Sequence, residues 1–367
     1  MSLGDSIAAF SRDNKRPLIG VSVGIVVLGA VLAISIWRRK SSDAKSMTSE
    51  LEQFPVRIGG VSQELVEKYN LRDFYIASSL NSCCSAGGKM YTYVGLEPLR
   101  EVIKQGARAL DFEVFTVKGE PVISTALGAT PSLKATLNSV SFDDAMLTAA
   151  RNAFSSGGCQ NAGDPLIINI RMTTARDVYS SMAKSIKRAF GDALLHPEHP
   201  GHGEGESICR TPMKDVMGKA IIICTGYEDV WTKNESFHSL VNASADGMFV
   251  RSLSHYDVLY GTGNDPELTE YNKKHMSAVI PKPGEDTTIL ASIPMHYGCQ
   301  MVFMDYSHPD SNFELMRSMF DASGSAFCLK PEVQRYVPVT VKRPPPQNPH
   351  LSYAPRTISK AYFSANI

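Results

Sequence analysis

The sequence predicts an α/β protein: a parallel sheet whose length suits a barrel of eight strand–helix units, preceded by a single transmembrane helix. Three observations carry this. Apolar strand-like runs alternate with amphipathic helix-like runs over residues 61–335, the pattern of a parallel sheet with crossover helices. Residues 17–37, PLIGVSVGIVVLGAVLAISIW, hold no charge. Residues 106–127, GARALDFEVFTVKGEPVISTAL, have the outline of a strand and its return strand, with acidic residues at alternate positions.

The strand runs lie at 109–117, 121–124, 166–170, 220–224 and 301–306, and the helical runs at 96–106, 142–155 and 175–195. In such barrels the chemistry sits at the C-terminal ends of the strands. Residues 17–37 span about 30 Å as a helix, the thickness of a bilayer core. Lys15 and Arg16 precede the run, and Arg38, Arg39 and Lys40 follow Trp37. A signal peptide would have a shorter apolar run and a small-residue cleavage site, and a buried helix would not be fenced by cations. The two basic flanks are nearly equal; the larger C-terminal one and the cysteine usage favour a single-pass protein with its barrel in the cytosol. Residues 1–16 are then a short tail, 38–60 a stalk, and 336–367 a Pro-rich tail.

The 37 basic and 37 acidic residues cancel, which excludes the basic footprint of a nucleic-acid-binding protein. Seven scattered cysteines with no C-x-x-C pair argue against a zinc site and for reduced, buried thiols. Asn234 and Asn242 head glycosylation sequons of a length that arises by chance. His196, His199 and His202 lie in a Pro/Gly loop, where their spacing carries little meaning. KRPPPQNP (342–349) suits a polyproline docking ligand, although an extended tail is the simpler reading.

Asp111 and Glu113 are two apart, so on a strand they share a face, an arrangement that holds a hard cation such as Ca²⁺. Thr125 stands where an acid–base residue would be expected after the return strand.

Several ordered motifs resemble eukaryotic phosphoinositide-specific phospholipase C. Ser78-Ser-Leu-Asn-Ser82 resembles the family's S-S-H-N-T, and residues 106–124 its catalytic strand pair. Asp164-Pro-Leu-Ile-Ile-Asn-Ile-Arg171 is similar to its Y-P-V-I-L-S-L-E. Residues 190–195 and Gly218-Lys219 also fit. Glu270-Tyr-Asn-Lys-Lys-His-Met-Ser277, Gly298-Cys-Gln-Met-Val302 and Phe327-Cys-Leu-Lys-Pro331 look like signatures of the second half. The resemblance implies a TIM-barrel-like phospholipase C fold, with an X-like half at about 71–226 and a Y-like half at about 245–335. It also implies that the transmembrane helix replaces the family's accessory membrane-binding domains.

Residue by residue, the resemblance implies a degenerate site. The two catalytic histidine positions hold Leu80 and Thr125, neither able to protonate a leaving group near neutral pH. The metal ligands match Asn81, Asp111 and Glu113, with a fourth, a Glu in the family, falling on Arg171. Its guanidinium is suited to pair with both carboxylates in the cation's place. The headgroup positions fall on Ile223, Thr225, Ser252, Ala278 and Ile280, of which the serine alone is retained.

The expected function is a membrane-anchored, non-catalytic phospholipase-C-like barrel acting as a scaffold or binding module, with no cofactor. Its partners would be the bilayer through 17–37 and a protein or lipid. The alternative is a divergent phosphatidylinositol phospholipase C or phosphodiesterase using a partial Ca²⁺ site, with His255 or His296 as substitute acid–base groups.

Overall fold

The apolar N-terminal run belongs to one long helix, α1 (Lys15–Leu51), and the chain then enters a barrel. The computed structural model describes residues 15–87, 91–128, 130–195, 208–261, 265–282, 289–338 and 355–366, without the side chains of 15–24, 37, 130–132 and 265. Eight parallel strands follow in chain order: β1 (Phe74–Ser79), β2 (Ala109–Val117), β3 (Leu166–Met172), β4 (Ala220–Thr225), β5 (Ala243–Ser244), β6 (Val250–Ser254), β7 (Met276–Ile280) and β8 (Met301–Met304). Each pairs with the next except β5 with β6, and β8 returns to β1, with Ile76 opposite Met301. Between β5 and β6 the ladder is replaced by the Ser252 N–H donating to the Ala245 carbonyl and by a bridge between Asp246 and Arg251. The barrel is thus nearly closed.

Helices α2 (Leu96–Lys104), α3 (Phe142–Ala153), α4 (Tyr179–Phe190) and α5 (Asp265–Lys274) cross between strands, and α6 (Ser311–Ser323) follows β8. α6 begins where Asp310 Oδ1 accepts the Phe313 N–H at 2.8 Å and ends at Gly324, whose φ of 65° is left-handed. β5 and β6 are joined by a turn with no helix, so of the seven connections between successive strands six are longer crossovers and one is a short link, short of the expected eight complete units. The strands β1, β5, β6 and β7 did not stand out as strand-like runs. β1 and β7 are buried at every position and show no alternation, and β5 is two residues long.

Several boundaries shift for identifiable reasons. The helix expected from 175 starts at Tyr179, because Thr173 donates both its N–H and its hydroxyl to the Val114 carbonyl and keeps the chain extended as it leaves β3. The strand expected to 306 stops at Met304, where Asp305 Oδ1 accepts the Ser307 N–H at 2.9 Å and turns the chain.

The stalk expected over 38–60 is corrected by the packing. α1 continues to Leu51, and Met47 and Leu51, four apart and so on one face, are buried in the barrel's core. Gln105 donates to the Leu51 carbonyl at 3.3 Å, Arg317 to the Pro55 carbonyl at 3.3 Å, and the Gly59 N–H to the Gly324 carbonyl at 2.9 Å. Towards the N-terminus the described side chains of Ile25, Val26, Leu28, Val31, Leu32, Ile34 and Ile36 are all at least half exposed. The side chains of residues 17–24 and 37 lie outside those described, and among the described residues no helix is long and apolar enough to cross a membrane.

Residues 337–367 form a separate unit. Its described part is an antiparallel hairpin, Thr357–Lys360 with Phe363–Asn366, rather than an extended tail. KRPPPQNP and the histidine loop lie outside the described residues. All seven cysteines are free, six of them buried. Asn242 is buried and accepts the Ile222 N–H, so its sequon is closed to modification in the folded chain.

Candidate functional site

The barrel mouth is built by strand register. In parallel neighbours, paired residues point to the same side of the sheet. Asp111 pairs with Asn169 and Asn169 with Ile223, making one inward layer; Glu113 pairs with Arg171 and Arg171 with Thr225, making the layer above it. The upper layer reaches the C-terminal ends of β3 and β4, while in β2, which runs on to Val117, Asp111 and Glu113 are the third and fifth of nine residues.

Arg171 occupies the centre. Its Nε donates to Asp111 Oδ1 at 2.8 Å and its Nη2 to Asp111 Oδ2 at 2.6 Å, a bidentate fork. Nη1 donates to Glu113 Oε1, and Nη2 also to Asn81 Oδ1 at 2.9 Å. Asp111 is fully buried and the Arg171 side chain is 15% exposed. Burial alone would make the guanidinium easier to deprotonate, but the two carboxylates outweigh that and hold its pKa above the ordinary arginine value. Burial pushes Glu113 up from the usual carboxylate range, against the pull of Arg171.

The remaining lone pairs are also engaged. Asn169 Nδ2 donates to Asp111 Oδ1 at 2.9 Å, and the Asn81 N–H to Asp111 Oδ2 at 3.0 Å. Asp111 therefore accepts four hydrogen bonds, the capacity of a carboxylate. Glu113 Oε2 accepts the Ala126 N–H. Asn81 reaches this geometry with φ of 42°, a left-handed conformation that asparagine tolerates. Asn169 was not singled out from the sequence; its position two before Arg171 on the same strand face was the available signal.

Sequence and structure bring together Asn81, Asp111, Glu113, Arg171 and Thr125. Thr125 is buried beside Ser124 in a recess with Asn81, Asp111 and Glu113, too tight to admit a water molecule. Leu80 is buried where the chain leaves β1, its N–H donating to the Met304 carbonyl at 2.8 Å. The headgroup positions divide. Ile223 and Thr225 stand beside Asn169 and Arg171, whereas Ser252, Ala278 and Ile280 lie on β6 and β7, Ser252 opposite Ala278. Ile223, Ala278 and Ile280 are buried apolar groups. The Asn169 Oδ1 and Thr225 Oγ1 atoms are buried without a hydrogen-bond partner among the described residues. His255 Nε2 accepts the Leu290 N–H at 3.2 Å, and His296 packs edge-on to Tyr297.

A calcium ion needs six to eight oxygen ligands. Asn81, Asp111 and Glu113 offer oxygens, but these are bonded to a permanent cation that sits among them. The residues present do not fit Ca²⁺ while Arg171 holds this position.

Residues 68–227 match the family model described as phosphatidylinositol-specific phospholipase C, X domain. A bovine 1-phosphatidylinositol 4,5-bisphosphate phosphodiesterase beta-4 is 36% identical over 72 residues, 19% of this chain and 7% of that protein. The Caenorhabditis elegans 1-phosphatidylinositol 4,5-bisphosphate phosphodiesterase beta egl-8 is 34% identical over 73 residues, 19% of this chain and 5% of that protein. The matched stretches are thus less than a tenth of these relatives' length. Among solved structures, L. pealei PLC21 superposes with a TM-score of 0.59 at 21% identity, covering 74% of this chain and 38% of that one. S. officinalis PLC21 gives 0.59 at 22% identity, covering 75% and 39%. The barrel therefore has the phospholipase C fold, and the stretch 68–227 is similar to the X domain of that family.

Proposed function

We propose that this chain is a membrane-anchored, non-catalytic phospholipase-C-like barrel that serves as a scaffold or binding module at a membrane surface. The observation that carries the reading is Arg171, bonded to Asp111, Glu113 and Asn81 where the family resemblance places a cation. A guanidinium there neutralises the carboxylates and keeps them from a metal. Leu80 and Thr125, at the two histidine positions, supply neither a charge nor a proton for phosphodiester cleavage. The second half of the barrel, the Y-like half, contributes Ala278 and Ile280 where the resemblance calls for polar or stacking groups, so a polyphosphorylated headgroup loses its electrostatic attraction.

The anchor reading rests on residues 17–37. A helix that is apolar all round and exposed on its described stretch is unstable against water and suited to lipid. The cationic flanks and Trp37 suit the two interfaces, and the barrel then faces the cytosol. The partner is a lipid or protein met at that surface.

The test is a phosphodiesterase assay on the full chain in vesicles containing phosphatidylinositol or its 4,5-bisphosphate, with and without Ca²⁺. No release of inositol phosphate is expected. Ca²⁺-dependent turnover that disappears in Asp111→Ala overturns the non-catalytic reading.

A further inference from the structure

A second cavity, of about 500 Å³, lies where α1 meets the barrel, within the size range of small-ligand sites. One wall is α1 itself: Lys40, Ala44 and Thr48 in one row and Ser41 and Lys45 in the next, each four residues apart. The other wall runs from Ser85 through the segment 93–98 at the start of α2. The Lys40 side chain reaches across, its Cε 3.9 Å from where a Cβ on Gly95 would sit. The same point lies 3.2 Å from Glu97 Oε2, so Lys40 and this rim carboxylate meet at the mouth.

The cavity's chemistry is mixed by position. Ala44, Val94, Pro98 and the lysine stems give apolar surface, and the Ser41 and Ser49 hydroxyls give donors, while those of Thr48 and Ser85 donate to the Ala44 and Tyr93 carbonyls. Among the described residues Lys40 and Lys45 form no ion pair, while the rim carboxylate Glu97 is paired with Arg100 at 3.5 Å. Glu52 lies at the far end, twelve residues and so about 18 Å along the helix from Lys40. The end nearest the apolar run holds Lys40, with Lys45 about one turn on and Glu97 at its rim.

We infer that this cavity holds the phosphate headgroup of an anionic phospholipid, gripped by Lys40 and Lys45 with its glycerol end along Ala44, Val94 and Pro98. The inference rests on the reading of residues 17–37 as a bilayer span. If the apolar run ends at Trp37 in the interface, Lys40 lies about 4.5 Å and Lys45 about 12 Å further along the helix. Headgroups add about 5–7 Å on each side of the hydrocarbon core, so Lys40 lies within that layer and Lys45 about 5 Å beyond it, its side chain leaning back towards the helix N-terminus and the headgroups. Juxtamembrane lysines attract anionic lipid; the walled cavity adds a place for a single headgroup, which a bare basic cluster lacks.

Trp37, one turn before Lys40, is the reporter, and the other tryptophan, Trp231, is fully buried in the barrel. The full chain is reconstituted in phosphatidylcholine vesicles carrying a minor fraction of brominated phosphatidic acid or of brominated phosphatidylcholine. Quenching of Trp37 should favour the anionic lipid about tenfold at equal mole fraction. The preference should fall to near unity in Lys40→Gln/Lys45→Gln. It should fall as far in Ala44→Phe, which puts a phenyl ring between Lys40 and Lys45 and leaves every charge in place; a thermal melt checks that both variants keep the barrel. A preference that survives Ala44→Phe belongs to surface charge and overturns the site. Competition by inorganic phosphate with no lipid preference in vesicles assigns the cavity to a soluble phosphate and overturns the lipid assignment. Vesicle flotation separates the two readings: flotation without lipid preference sinks the cavity alone, whereas a parent chain that does not float sinks the anchor and the cavity together.

Discussion

Arg171 Nη2 lies 2.6 Å from Asp111 Oδ2, with the carboxylate fully buried and the guanidinium nearly so. The contact joins residues 60 positions apart on adjacent strands. It turns a pair of carboxylates able to hold a metal into a closed polar plug.

Removing the guanidinium should therefore be costly. Arg171→Met leaves Asp111 and Glu113 buried without a counter-charge, and stability should fall by about 3–5 kcal/mol in urea unfolding. Ca²⁺ should raise the melting temperature of this variant and leave that of the parent unchanged. A parent chain stabilised by Ca²⁺ to the same degree would mean that Arg171 does not occupy the cation's place.

Restoring the missing groups tests which parts are lacking. Leu80→His with Thr125→His and Arg171→Glu should yield Ca²⁺-dependent phosphatidylinositol hydrolysis above the parent's background, while each single change should not. Acid–base groups contribute typically about 10²–10⁴-fold each, so the triple variant's signal should collapse when either histidine is reverted.

Met47 and Leu51 test the docking of α1. Both side chains are buried to 1% or less exposure. Met47→Ala or Leu51→Ala should each cost about 2–5 kcal/mol and speed proteolysis near residues 52–57. Leu32→Ala, on the exposed stretch, should leave the barrel's unfolding midpoint unchanged. A free stalk would make all three neutral.

Lys330 gives a pH signature. Burial lowers its pKa to about 7, and its Nζ donates to the Asn272 and Gly298 carbonyls at 2.9 and 3.2 Å. Below pH 7 the amine is charged in both states, and the folded chain bears the full desolvation cost. Between pH 7 and the ordinary lysine range the unfolded chain binds the extra proton, so this residue's contribution to stability rises with pH. Melting temperatures of the parent minus those of Lys330→Met should climb across that window. A flat difference would mean that the amine titrates normally.

Much of the architecture was legible in the chain. β2 was bounded residue for residue because its apolar and acidic positions alternate cleanly; β3 and β4 were placed by their apolar starts, but run two residues and one residue further than expected, through Arg171 and Met172 and through Thr225. β5 and β6 were not, since two- and five-residue strands carry too little periodicity. Met47 and Leu51 looked like isolated apolar residues in a polar stretch; the surface they cover is made by residues far along the chain. Asn169 was hidden for the same reason: its use depends on which residue β2 places opposite it.

By itself the sequence determined the covalent facts: an uncharged run over 17–37, strand–helix alternation, and a leucine and a threonine at positions 80 and 125. A side chain with no titratable proton lacks one in any fold. The tertiary structure alone decided what the charged groups do. Register sets Glu113 opposite Arg171 and Arg171 opposite Thr225. Burial then makes an unpaired carboxylate too costly to leave, and the arginine closes on both acids. That choice depends on distances between strands, which no local pattern of residues contains.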